Sequence, residues 1–169
     1  MTTLTEGNLQ ITFNDAISAR KFDDDSHGLS HCMKAVDFII EFPDCYWFIE
    51  VKNLDAPKVP EKERKKYMNR LQSPKMIKHL KYKYRDSFLY EWASGRADKP
   101  IDYLILIGLK TLESPLLMER TNALQRNLPT SQPSQLKWPW CRSIVRNCGV
   151  FNIASWNRKF PDYQVKILP

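Results

Sequence analysis

Residues 33–53 read MKAVDFIIEFPDCYWFIEVKN, and their interpretation decides the rest of the chain. Two apolar runs, Ala35 to Phe42 and Cys45 to Lys52, are joined by Pro43 and Asp44. Both are rich in aromatic and β-branched residues and are broken by turn formers, which is the composition of two strands and a tight connection. Each run also carries charge: Asp37 in the first, Glu50 and Lys52 in the second. If Pro43 and Asp44 form the whole connection, Phe42 pairs with Cys45 and Asp37 comes opposite Glu50; the residues also allow longer loops. Side chains alternate along a strand, so Glu50 and Lys52 share a face and cross-strand pairing brings Asp37 to it.

Two carboxylates side by side repel, and burying them without a partner costs several kcal/mol or forces one to take up a proton. A divalent cation removes both penalties. Magnesium accepts a few oxygen ligands and keeps waters that exchange with phosphate oxygens. A protonated lysine is no ligand for such an ion, but it can orient a water or balance charge on a phosphate.

Asp37, twelve intervening residues, and then Glu50-Val51-Lys52 at the end of an apolar strand resemble the core motif of the PD-(D/E)xK nuclease superfamily. The resemblance implies an α/β, restriction-endonuclease-like fold, a mixed central sheet flanked by helices. It implies Asp37, Glu50 and Lys52 as catalytic residues. Asp37, Glu50 and the Val51 carbonyl would be metal ligands, and Lys52 would position or activate the attacking water. Magnesium is the implied cofactor, with manganese as its substitute, and the implied reaction is endonucleolytic hydrolysis of a phosphodiester, in DNA before RNA. The proline that usually precedes the first aspartate is replaced by Val36, and the literal Pro43-Asp44 pair reads as the turn.

The chain of 169 residues is the size of one domain, residues 1–169, with 43% apolar and 27% charged residues. No stretch is long and apolar enough to cross a bilayer, and Met1 to Gln10 lacks a basic-then-apolar leader, so a cytoplasmic protein with no membrane partner is expected. Cys32, Cys45, Cys141 and Cys148 have neither C-x-x-C spacing nor histidine partners, and read as buried thiols. His31 is expected at the surface, with a place facing the site as the alternative. There is no G-x-x-x-x-G-K-[ST] loop, G-x-S-x-G elbow or H-E-x-x-H helix, which excludes those hydrolase classes.

The formal charge of +7 is unevenly spread. Lys58 to Arg85 holds eleven lysines and arginines against Glu61 and Glu63, so the remainder is slightly acidic. A basic helical segment over 58–94 directly after a candidate metal site suits a nucleic acid, because neutralising phosphates releases counterions. The same composition also suits a solvated helical face that keeps the protein soluble. Lys65, Lys66, Arg70, Lys75, Lys78, Lys81 and Arg85 are the candidate phosphate contacts, and Tyr82, off the apolar stripe, is a candidate base-stacking residue.

Outward from this core, Thr5, Glu6, Leu9, Phe13, Ala16 and Ile17 predict an amphipathic helix to Phe22 with Thr5 as cap. In the resembled fold an opening helix donates a further acid, so Glu6 is the additional candidate ligand; a first-turn acid favoured by the helix dipole is its structural counterpart. The run Asp23-Asp24-Asp25 reads as solvent-facing, and Gly28 to Met33 as the start of the first sheet strand or an extension of the strand bearing Asp37. A helix is expected over Glu61–Leu71. A longer one should open at Ser73-Pro74 and close near Ser94-Gly95, with Ile77, Leu80, Tyr84, Phe88 and Trp92 inward and Lys83 among the outward basic residues. Ile101 to Leu109 should be a strand buried on both faces, and Glu113 to Arg126 a helix packing through Leu117, Leu124 and Leu128. Residues 128–139 should be a loop. Val150 to Ala154 and Gln164 to Leu168 should be late strands, with Arg158 and Lys159 in the turn between them.

Two non-enzymatic readings accompany the nuclease. One is a nucleic-acid-binding or assembly protein that keeps the fold without catalysis. The other is a homo-oligomeric scaffold using Trp138, Trp140 and Trp156 as aromatic surface. A homodimer is compatible with the nuclease as well, since paired subunits could cut both strands.

Overall fold

A computed structural model describes residues 1–24, 27–55, 59–131, 137 and 139–169. Asp25, Pro57, Lys58, Trp138 and half of the expected loop over 128–139 lie outside the described residues.

The chain is α/β. A mixed five-stranded sheet has the order β3 (Ser18–Lys21), β4 (Phe38–Glu41), β5 (Tyr46–Asn53), β6 (Ile101–Gly108), β7 (Asn147–Asn152). Strands β3, β4 and β5 are antiparallel neighbours, whereas β5, β6 and β7 run parallel. Parallel neighbours need long crossovers. Helices α1 (Glu61–Leu71) and α2 (Pro74–Ala93) supply the first, and α3 (Ser114–Asn127) the second. On the opposite face lie a three-stranded sheet, β1 (Thr2–Glu6), β2 (Leu9–Phe13) and β8 (Val165–Ile167), and the short helix α4 (Ile153–Lys159).

The hairpin has the register expected from a two-residue connection. Phe38 pairs with Ile49 and Ile40 with Trp47, and the Phe42 amide donates to the Cys45 carbonyl at 2.8 Å. Alternation along β5 then divides its side chains between two cores. Phe48 packs with Ile39, Tyr103 and Ile105 under α2 and α3. Trp47, Ile49 and Val51 pack with Phe38, Ile40 and Leu106 against Leu9, Ile11, Phe13 and Trp156. Strand β6 is buried on both faces, as its unbroken apolar run demands.

Helices α1 and α2 have the expected bounds, with Pro74 in the first turn of α2 and Gly95 beyond its end at φ +71°. Met76, Ile77, Leu80 and Tyr84 form the buried stripe of α2. A second buried stripe was not expected: Lys83, Ser87 and Glu91 recur at intervals of four and face the polar edge of β3 and β4. The Ser87 hydroxyl accepts the Val36 amide at 3.0 Å, and Glu91 binds Arg20 at 2.6 Å and Arg96 at 2.9 Å. Trp92, placed inward by the helical pattern, is exposed.

The opening segment is a correction. Thr2 to Lys21 forms three strands and no helix. The Thr-rich β1 and the alternation Leu9, Ile11, Phe13 have period two. The two-residue connection Gly7-Asn8 places Gly7 at φ +59°, the left-handed conformation that hairpin turns assign to glycine. The apparent helical stripe mixed residues from separate strands. Residues 28–33 are turns, not a strand. At the other end, β7 stops at Asn152, which caps α4 through a reciprocal pair of hydrogen bonds with Ser155. Ala154, Arg158 and Lys159 are therefore helical, contrary to the expected strand and turn. Trp156 is fully buried and donates its indole N–H to the Tyr163 carbonyl at 2.8 Å, so it offers no scaffold surface. Of the four thiols, Cys45 and Cys148 are buried and Cys32 and Cys141 exposed, all unpaired. No described helix is long and apolar enough to cross a membrane.

Replacing Trp156 by alanine should destabilise the fold by about 3–5 kcal/mol. Urea denaturation checks this, as a shifted midpoint at unchanged slope.

Candidate active site

Strand β4 ends its pairing at Phe38, one residue after Asp37, and the way it ends builds the site. In an antiparallel ladder with this register, Val36 would accept the Val51 amide and donate to the Val51 carbonyl. Neither partner is supplied that way. The Val51 amide donates to Asp37 Oδ2 at 2.5 Å, and the Val36 amide donates to Ser87 on α2. The Asp37 carboxylate therefore takes the place of the missing backbone acceptor. Its main chain is held from the other side, where the carbonyl accepts the Phe22 amide at 2.8 Å. The Val51 carbonyl, leaving the strand on the same edge as its amide, lies on the Asp37 side.

Glu50 stands on the face of β5 that turns toward the helices and is fully buried. Lys52 Nζ is 2.6 Å from its Oε1, and Lys83 Nζ is 2.8 Å from its Oε2. Among the described residues no hydroxyl or backbone amide hydrogen-bonds to either oxygen. Lys83 also lies 3.6 Å from Asp37 Oδ1 and 3.4 Å from Asp23 Oδ2. Lys52 keeps about a third of its side chain exposed and faces the opening, whereas Lys83 is closed in.

Burial pushes the Glu50 carboxyl above its usual range. Lys52 and Lys83 oppose that shift, and Asp37 adds to it. For Lys83 the balance is reversed: burial disfavours the ammonium, but Glu50 and Asp37 together outweigh it and raise its pKa. The two shifts point the same way for different reasons. Glu50 has lost all contact with water beside another acid, while Lys83 answers several acids at once.

The mouth of the site is electropositive. Lys34 Nζ lies 3.1 Å from Nδ1 of His79, and burial, aided by Lys34, Lys83, Arg70 and Lys52, lowers the His79 pKa to about 4. The imidazole is thus neutral at pH 7, and the cations around it come from α1, α2, β5 and the segment before β4. Tyr67 on α1 turns a buried hydroxyl, without a hydrogen-bond partner among the described residues, into the field of Glu50 and Asp37. Burial first, then those acids, raises its pKa.

The structure thus brings together Asp37, Glu50, Lys52 and the edge carrying Val51. Glu6 is elsewhere. It ends β1 rather than opening a helix, and it pairs with Lys21 at 2.8 Å. Lys21 lies opposite Phe38, so by alternation that pair is on the other face of the sheet from Glu50. Of the basic candidates, Lys65, Lys66, Arg70, Lys75, Lys78 and Arg85 are exposed and Lys81 half-buried. Lys65 is partly engaged with Glu61 at 2.8 Å. Tyr82 is half-buried, with Lys78 and Arg85 5.8 and 5.3 Å from its ring centre. His31 is exposed.

Sequence reasoning missed Lys83, Asp23, Tyr67 and His79. Lys83 was assigned to the outer basic face, although its four-residue spacing with Ser87 and Glu91 marks a polar stripe that a buried helix shows only when it has acids to meet. Asp23 was assigned to solvent and is exposed, and nothing in an Asp-Asp-Asp run marks the one whose carboxylate also reaches Lys83 at 3.4 Å.

The oxygens present are of the chemical kind that a hard divalent ion takes. Carboxylates are the ligands magnesium prefers, and here each Glu50 oxygen meets an ammonium, Lys52 at 2.6 Å and Lys83 at 2.8 Å, while Asp37 Oδ1 has Lys83 at 3.6 Å. Among the described residues, no three His, Cys, Asp or Glu side chains converge closely enough to hold an ion by themselves. No protein-family model, curated protein or solved structure matches the chain.

Because the folded state holds a proton on Glu50 more tightly than the unfolded chain does, Glu50 subtracts stability as pH rises from its ordinary 4.5 through its raised folded value. Below 4.5 both states are protonated and the effect vanishes. Glu50→Gln should remove this component. Urea unfolding of wild type and variant in EDTA across that range should show wild type losing stability relative to the variant as pH rises, and parallel curves would contradict it.

Proposed function

We propose that the chain is a metal-dependent nuclease with a restriction-endonuclease-like fold, a member of the PD-(D/E)xK superfamily that hydrolyses phosphodiester bonds, in DNA before RNA. The observation that carries this reading is the meeting of Asp37, Glu50 and Lys52 on one strand face through the register of a two-residue hairpin, with Val51 bonded to Asp37. The electropositive surroundings of that face, from Lys34, Arg70, Lys52 and His79's other neighbours, also support it.

Asp37, Glu50 and the Val51 carbonyl would hold magnesium, or manganese in its place, and the ion when bound would lower the pKa of a water and polarise the scissile phosphate. Lys52, on the open side of Glu50, would orient that water and offset charge gathering on the phosphate oxygens. The Val51 amide fixes one oxygen of Asp37, so the carboxylate cannot rotate away from the face it shares with Glu50. Lys66, Arg70, Lys75, Lys78, Lys81 and Arg85 on α1 and α2 would bind the nucleic-acid backbone, with Tyr82 offering its ring between Lys78 and Arg85.

One observation favours a second reading. Lys52 and Lys83 already neutralise Glu50, so the acids are balanced without an ion. A nucleic-acid-binding protein that has kept the fold and lost cleavage would look the same.

Incubation with supercoiled and single-stranded DNA in magnesium or manganese separates them. The nuclease reading expects cleavage that falls about 10²–10³-fold in Lys52→Ala and at least as far in Glu50→Ala. Salt-sensitive binding without cleavage selects the second reading. For either, removing Lys78 and Arg85 together should lower the slope of log affinity against log salt by about 2. Filter binding over a salt series measures it, and an unchanged slope would take these residues off the nucleic-acid surface.

A further inference from the structure

We propose that Lys83 is a built-in counter-cation: its ammonium holds the position that a divalent ion would take, and Asp23 is a third carboxylate of that position. The inference deepens the ion-binding half of the reading above and does not depend on cleavage.

Three carboxylates from three separate segments face one nitrogen. Glu50 Oε2 on β5 lies at 2.8 Å, Asp23 Oδ2 after β3 at 3.4 Å, and Asp37 Oδ1 before β4 at 3.6 Å. Only the first is close, so the ammonium answers the field of all three without fully bonding to each. As they stand, the three do not converge closely enough to hold an ion by themselves; in place of the ammonium, an oxygen-seeking ion would have to draw them in and complete its shell with water. Lys83 is not a surface lysine that happened to fold back. Its side chain is closed in, and its helix is fixed on the same side by Ser87 to Val36 and by Glu91 to Arg20. Lys52 sits on the other oxygen of Glu50 and would remain there.

Two consequences follow from charge alone. In the free protein Lys83 lets the acids be buried without an ion, so the fold does not depend on metal. An incoming ion must displace the ammonium, which weakens its binding until a second anion, such as a phosphate diester, gives Lys83 a new partner. Removing Lys83 strips one of two positive charges from the acids. The metal-free protein should then be destabilised and its affinity for an ion increased.

The test is thermal unfolding of EDTA-treated full chain titrated with manganese chloride alone. Binding to the folded state raises the midpoint in proportion to ion affinity. Wild type and Lys83→Arg, which keeps the charge, should respond weakly and alike. Lys83→Met should begin at a lower midpoint and bind manganese at least ten-fold more tightly. Glu50→Gln in the Lys83→Met background should abolish the gain, and Asp23→Asn should reduce it. Lys83→Gln, whose amide still donates to a carboxylate, provides a milder variant with the same expected direction. Equal manganese affinity in wild type and Lys83→Met, or a gain that survives Glu50→Gln, overturns the proposal. So does a Lys83→Met chain that stays unfolded at saturating manganese. Cleavage of plasmid DNA by wild type with no gain in Lys83→Met keeps the nuclease and rejects the counter-cation. The gain without cleavage in any variant does the reverse.

Discussion

A carboxylate with no access to water, in the middle of a sheet, is the constraint around which this molecule is arranged. Burying an ionised Glu50 in apolar surroundings would cost far more than the net stability of a domain this size if nothing compensated it. The compensation comes from sequence-distant parts. Lys52 is two residues away on the same face, Lys83 arrives on the crossover helix, and Asp37 is held off by giving one of its oxygens to a backbone amide. The helical layer is thus bound to the sheet by an electrostatic requirement as well as by the packing of Leu80, Tyr84 and Tyr103.

The crossover has two tasks that share one helix. Its apolar stripe closes the core over β5 and β6, and its polar stripe of Lys83, Ser87 and Glu91 organises the edge where β3 and β4 deliver their acids and arginine. Ser87 matters here because it takes the amide that would otherwise extend the β4 ladder. Pairing stops there, and the Asp37 side chain is able to reach Val51. A small hydroxyl on a helix therefore decides where a strand ends and where a carboxylate points.

Much of this arrangement was legible in the sequence. Pro43 and Asp44 between two apolar runs gave the hairpin and its register, and from the register came the meeting of Asp37 with Glu50. Helices α1 and α2 could be bounded by Pro60, Pro74 and Gly95, and β6 was evident from nine residues of nearly unbroken hydrophobicity. What stayed hidden has physical reasons. In residues 2–21, short strands with polar faces can imitate a helical stripe when residues from neighbouring strands are counted together, and only Gly7-Asn8 marked the turn. Lys83 was hidden because a lysine on a basic helix reads as solvated unless its acids are known to lie opposite, and those acids are dozens of residues away in sequence. Trp92 and Trp156 show the same limit. An aromatic residue's burial is set by the layer that covers it, and the small sheet covering Trp156 was the element not foreseen.

The alternation along β5 has a last consequence. Even-numbered residues meet the helices and odd-numbered ones meet the aromatic layer, so slipping the strand by a single position against its neighbours would drive Glu50 and Lys52 among Trp47's ring partners and turn Ile49 and Val51 toward the acids. Alternative ladders are therefore closed to this chain by charge and by shape together. Its hairpin thus carries a safeguard of its own, in which a misaligned strand fits neither of the two layers.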